Sequence, residues 1–162
     1  MSYPAELYHG DQGEVSGTLW KGDSAPDLVI GGRTDVHYLA TGRSTGGQYG
    51  LYRWDMGEQP GGPGPHFHKT MSESFFVLSG VVGLYDGDHW VNAAPGDFLF
   101  VPPGGIHAFR NPEGPASMLL LFAPGAPREG YFEELAEVAA SGRKLSDEEW
   151  NDIYLRHDQY MV

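Results

Sequence analysis

"GPGPHFHKTMSESFFVLSG", residues 62–80, carries two histidines one residue apart, a glutamate five positions after the second, and an apolar run closed by Gly80. In a β-strand, residues i and i+2 project to the same face, so His66 and His68 present two imidazoles side by side. Glu73 lies an odd number of positions from His68 and faces away on a straight strand. It joins the histidines only if the chain bends or bulges, and the stretch therefore predicts a break over 69–72. Beyond the break, Glu73, Phe75 and Val77 share one face.

Outward from this stretch the pattern is strand, turn, strand from residue 36 to 122. "VHYLA", "QYGLYRWDM", "VVGLYDGDHWV", "DFLFVPPG", "IHAFRN" and "ASMLLLFAP" are each bounded by Gly, Pro, Asn or Asp. Asp86-Gly87 is a two-residue hairpin signal. Gly80, Gly96 and Gly104 read as turn residues. Before the strands, residues 1–35 form a Gly- and Asp-rich arm with one short edge strand at Leu28-Val29-Ile30, expected to pack on a neighbouring element or subunit. After them, Tyr131, Leu135, Val138 and Ala139 mark a helical stripe ending at Gly142. Ser146 and Glu149 form a capping box that opens a second helix through Trp150, Ile153 and Tyr154. The chain thus reads as an all-β domain, 36–124, with an N-terminal arm and a C-terminal helical tail, 125–162, packed on it.

Composition agrees. Among 162 residues are 24 glycines and 12 prolines, which favour short strands and tight turns over a bundle. Ten basic side chains against 22 acidic ones give a formal charge of −12, which repels phosphate backbones and anionic membranes, so neither nucleic acid nor membrane is an expected partner. There is no cysteine, so a metal would rest on imidazole and carboxylate alone. The first residues lack a basic stretch followed by an apolar run, and no apolar segment approaches the roughly 20 residues that span a bilayer, which predicts a cytoplasmic protein.

A second stretch, "GDFLFVPPGGIHAFRN", places His107 just after a Pro-Pro-Gly-Gly turn. Together the two stretches offer three nitrogens and one anionic oxygen, a set suited to a first-row divalent ion with one or two positions left open. Scattered histidines, His9, His37, His89 and His157, read as surface or satisfied core residues. By parity Phe75, Val77 and Phe109, with the row Tyr52, Trp54 and Met56, are expected to line a cavity suited to a small planar aromatic substrate.

These spacings resemble the two motifs of the cupin superfamily. His66-x-His68-x4-Glu73-x6-Gly80 follows the first motif, except that Pro60 holds the place of its leading glycine with Gly61 beside it. Gly96, Pro102, Gly104, His107 and Asn111 meet the second in full, and 15 residues separate the two. The resemblance implies a jelly-roll β-barrel with His66, His68, Glu73 and His107 as ligands of one divalent transition metal, Fe, Ni, Mn, Co, Cu or Zn. The general layout is similar to bacterial monocupins related to quercetin 2,3-dioxygenases, which are commonly homodimers. That likeness implies a dioxygenase acting on a flavonol-like or enolisable aromatic substrate, with Glu73 also as base. Cupins further include redox-neutral cyclases and isomerases of aromatic polyketide and antibiotic biosynthesis, and non-catalytic binding proteins, so these stand as alternatives.

Overall fold

The computed structural model describes residues 2–162, and its framework is two facing antiparallel sheets. The larger sheet runs in the order β1 (Leu28–Ile30), β2 (Thr34–Ala40), β3 (Gly50–Met56), β10 (Ala116–Ala123), β5 (Ser72–Ser79), β8 (Phe98–Val101). Opposite it, β6 (Val82–Tyr85) lies between β7 (Trp90–Ala93) and β9 (Ala108–Arg110). A third ladder pairs β4 (His66–Phe67) with β11 (Tyr160–Met161), and an isolated bridge between His66 and His107 joins it to the β9 side. The result is a jelly-roll barrel, as expected.

Alternation explains which face is inside. Along β10 every second residue, Ala116, Met118, Leu120 and Phe122, is buried, and along β3 Gly50, Tyr52, Trp54 and Met56 are. β3 and β5 both pair with β10, so their inward rows fall in register: Tyr52 and Phe75 both sit opposite Leu120. Edge-to-face aromatic packing follows, with Tyr52 5.2 Å from Phe132 and Trp54 5.1 Å from it, ring centre to ring centre.

The expected break is present. β4 stops at Phe67, β5 begins at Ser72, and the intervening residues bend. Gly80, Gly96 and Gly104 all take positive φ, at 70°, 96° and 83°. Asn111, fully buried, clamps the approach to His66: its amide donates to the carbonyls of Gly57 and Gly114 at 2.8 and 2.9 Å, and its oxygen accepts from Gly61 N at 2.9 Å.

Helix α1 (Arg128–Ser141) ends at Gly142 in the left-handed conformation, and α2 (Asp147–Arg156) opens with the anticipated Ser146–Glu149 capping box. No helix among the described residues is long and apolar enough to cross a membrane.

Three details differ from expectation. The β6–β7 turn centres one residue later, on Gly87-Asp88, because the Asp86 carboxylate accepts from the N–H groups of Asp88 and His89 and so takes the position before the turn. Only the end of the arm packs as expected, where β1 pairs with β2 and lies against α1; residues 2–25 are exposed throughout, with the Gly22 carbonyl accepting from Arg53. The apolar side chains of residues 2–25 are too widely separated by Gly and Asp to form a buried row. The chain also ends in a strand, β11, that carries no hydrophobic periodicity of its own and exists because β4 offers it an edge.

Truncation should therefore hurt unequally. Phe75→Ala should lower unfolding free energy by about 3–5 kcal/mol in urea denaturation, and Ser146→Ala by about 1 kcal/mol. Equal losses would contradict this placement of the core.

Candidate metal centre

The break in the first stretch and the bridge to the second bring four side chains together. His66 and His107 are tied backbone to backbone, N to O at 3.0 and 2.9 Å, so their rings stand 4.3 Å apart. The carbonyl of His68 accepts from Gly104 N at 2.7 Å, which anchors the second histidine to the turn before His107. Glu73 enters from β5, opposite Val101 on one side and Phe122 on the other. One donor atom from each of His66, His68, Glu73 and His107 lies within 4.8 Å of all the others, and all four residues are buried. That spread is close to twice the ~2.1 Å distance of a nitrogen or oxygen ligand from a first-row ion.

The ring orientations are fixed from behind. Nδ1 of His66 donates to Gly64 O at 2.8 Å, Nδ1 of His68 to Asp158 O at 2.6 Å, and Nδ1 of His107 to Gly105 O at 3.0 Å. A carbonyl can only accept, so each Nδ1 carries the proton and each Nε2 is free to act as a ligand. Two of those Nε2 atoms face the Glu73 carboxylate, at 3.1 Å from His68 and 2.8 Å from His107.

Electrostatics make the arrangement demanding. Burial opposes ionisation of Glu73, but hydrogen bonds from His107 and His68 outweigh it and hold the carboxyl well below its usual range. Burial disfavours the charged form of His107, yet its contact with Glu73 wins and raises its pKa. His66 is pushed down to about 3, first by burial and then by His107. A neutral set of three imidazoles would aim its Nε2 lone pairs at one another and at a carboxylate. A cation at their common focus relieves that repulsion, and the residues fit a divalent transition ion.

Two residues that sequence reasoning missed complete the surroundings. Asp158, at φ 55°, accepts from Lys69 N, Thr70 N and Thr70 Oγ1 through its carboxylate while its carbonyl holds His68. It thus pins both the bend and the ligand. Arg128, three and four residues before Tyr131 and Phe132, falls on the buried stripe of α1, and that spacing was the one signal in the sequence that could have revealed it.

Beside the cluster lies a cavity of about 480 Å³, within the range of small-molecule sites. His66, Glu73, Trp54, Met56 and Phe109 contribute to its walls, with Arg128, Tyr131 and Phe132 from α1. The other three expected lining residues, Tyr52, Phe75 and Val77, are fully buried in the packed interior instead. The ring of Tyr52 is enclosed by Phe122 and Phe132 and its hydroxyl bonds Glu129, and Phe75 is covered by the rings of His107 and Phe109. Parity gives the face of a strand but not the depth.

Residues 54–122, which contain the whole ligand cluster, match the Cupin domain family. The barrel has the cupin jelly-roll fold. The chain is similar to quercetin 2,3-dioxygenase of Bacillus subtilis, 27% identical over 135 residues, which cover 82% of this chain and 38% of that protein. The chain therefore spans well under half the length of that relative. Among solved structures it resembles KdgF from Halomonas sp., with TM-score 0.59 and 15% identity over 70% of this chain and 99% of that one. It also resembles the polyketide cyclase RemF from Streptomyces resistomycificus, with TM-score 0.54 and 23% identity over 67% and 80%. Both likenesses are of fold.

Two outcomes follow for metal binding. Asp158→Ala should weaken affinity for zinc about 10- to 100-fold in competition titration with little change in secondary structure, and an unchanged affinity would remove Asp158 from the site. An incoming ion must also displace the proton on His107. Because that pKa is raised in the metal-free protein, affinity should be level above it and fall by about tenfold per pH unit below it. Calorimetric titration in buffers of different ionisation enthalpy should show more protons released as pH falls through the raised His107 pKa; a constant proton count would contradict this.

Proposed function

We propose that this chain is a metal-dependent enzyme, and that its reaction is dioxygenation of a flavonol-like or other enolisable aromatic substrate. The observation that carries the reading is the convergence of three Nε2 atoms and one ionised carboxylate beside an aromatic-lined cavity, whose wall includes His66 and Glu73. A redox-active divalent ion held by His66, His68, His107 and Glu73 would supply Lewis acidity and a route for electrons to dioxygen.

The remaining work falls to the chain's own groups. Glu73 is the acidic side chain among the four and is held ionised, so it can take the proton of an enol or phenol hydroxyl brought beside it. His107, its Nδ1 proton committed to Gly105 O, keeps Nε2 turned to the focus that it shares with that carboxylate. Trp54 and Phe109, perpendicular with centres 6.1 Å apart, give a planar substrate an edge and a face to pack against, and exclude water from the reacting end. The similarity to a quercetin 2,3-dioxygenase supports this assignment.

A second reading uses the same carboxylate. With the ion polarising an enolisable carbonyl, Glu73 can remove a proton at one carbon and return it at another, which is all that a redox-neutral cyclisation or isomerisation of an aromatic polyketide requires. The atmosphere separates the two. With quercetin and the metal-loaded protein, oxygen uptake should match substrate consumed, and Glu73→Gln should lower kcat by about 10²- to 10⁴-fold. Product formed under nitrogen from a polyketide substrate would replace the dioxygenase with the cyclase, and no turnover in either atmosphere would leave a binding protein.

We also infer a homodimer. Phe76 and Leu78 on β5 and Phe98 and Phe100 on the edge strand β8 leave an apolar outer face, each between 39% and 61% exposed. Sedimentation should give about twice the chain mass of 17.7 kDa, and a monomer at micromolar concentration would contradict it.

A further inference from the structure

The buried guanidinium of Arg128 has no role in folding the barrel that would explain its charge. It is 4% exposed and lies among aromatic rings, 4.5 Å from Tyr131, 5.1 Å from Phe122 and 5.6 Å from Phe132, measured from its central carbon to each ring centre. No carboxylate among the described residues forms an ion pair with it. Of its five N–H donors, Nη1 gives one to His157 O at 2.7 Å and Nη2 reaches Gln159 Oε1 only at 3.5 Å, while Nε has no partner among the described residues. A buried cation whose compensation is one carbonyl, one distant amide and ring faces is expensive to keep.

Its position makes the cost harder to explain on structural grounds alone. Arg128 is the first residue of α1, at the end where aligned peptide dipoles place positive partial charge, and Pro127 before it supplies no side-chain cap. Among the described residues, the one carboxylate on the same cavity wall, Glu73, is already engaged by His68 and His107. Yet Arg128 shares the cavity wall with Glu73 and His66. With a divalent ion at the histidines, one carboxylate does not balance the cavity, and the guanidinium adds to the excess.

We propose that Arg128 is a specificity-determining residue of this site, and that its ligand class is a planar aromatic molecule bearing an anionic oxygen group, a carboxylate or an ionised enol. The apolar body lies against Trp54, Phe109 and Phe132, and the anion supplies the counter-charge that Arg128 lacks. This deepens the functional reading above, on which its biological substrate rests, but the binding claim needs neither dioxygen nor turnover.

The test compares 2-naphthoate with its neutral counterpart 2-naphthamide on the zinc-loaded full chain by calorimetry. The wild type should bind the carboxylate at least about tenfold more tightly. Arg128→Met should bring the two affinities together while zinc stoichiometry and naphthamide affinity stay as they were, and Arg128→Lys should recover part of the preference. Should Arg128→Met retain the full preference, the anion is held by the metal or elsewhere and the proposal fails; it fails equally if the wild type shows no preference, or no naphthoate binding at about millimolar concentration. If Arg128→Met does not fold, the Nε–H resonance of Arg128 in 15N-labelled wild type, assigned through Arg128→Lys, decides. Naphthoate should shift it more than saturating naphthamide does, and equal or absent shifts overturn the assignment. Loss of oxygen uptake with the anion preference intact would count against the dioxygenase reading alone.

Discussion

Two backbone hydrogen bonds, between His66 and His107 in both directions, are the constraint on which the rest of the structure depends. They join the short β4–β11 ladder to the β9 side of the barrel. In doing so they bring the two histidine backbones side by side, and the Nδ1 bonds to Gly64 and Gly105 then hold the imidazoles 4.3 Å apart. The bend after Phe67 then returns His68 and Glu73 to the same focus. The tail supports this from outside: Asp158 holds the bend by its carboxylate and His68 by its carbonyl, and Val162 N donates to Pro65 O. Barrel, bend and tail therefore position one site jointly.

The price of that convergence is a charge problem, and its resolution is what gives the site chemistry. Three rings with their Nδ1 protons committed to carbonyls have one free lone pair each, and these meet a buried carboxylate. Protein groups alone meet the demand only by protonating His107 against Glu73. A divalent ion meets it better, and it leaves the adjoining cavity short of negative charge rather than positive. Arg128 deepens that shortage, so the preference for an anionic ligand and the preference for a cation at the histidines are two sides of the same balance.

Much of this was legible in the sequence because it rests on local rules. The i, i+2 spacing of His66 and His68, the odd offset of Glu73 that demanded a bend, the positive-φ glycines and the Ser146–Glu149 cap each depend on a few neighbouring residues. What was not legible depends on where remote segments meet. β11 forms only because β4 presents an edge, and Asp158 matters only because the tail returns across residues 69–70. Alternation placed Tyr52, Phe75 and Val77 on the inward face correctly, but which inward residues reach the cavity is decided by the rings stacked over them. Trp54, Met56 and Phe109 reach it; the others are covered.

The central claim is that His66, His68, His107 and Glu73 together hold one transition-metal ion. Anomalous diffraction from crystals of protein purified without added metal, collected at the absorption edge of the element found by elemental analysis, tests it most directly. The account predicts one peak per chain, within bonding distance of the three Nε2 atoms and a Glu73 carboxylate oxygen. A peak elsewhere, or a fully active protein with no ion at that focus, would contradict it.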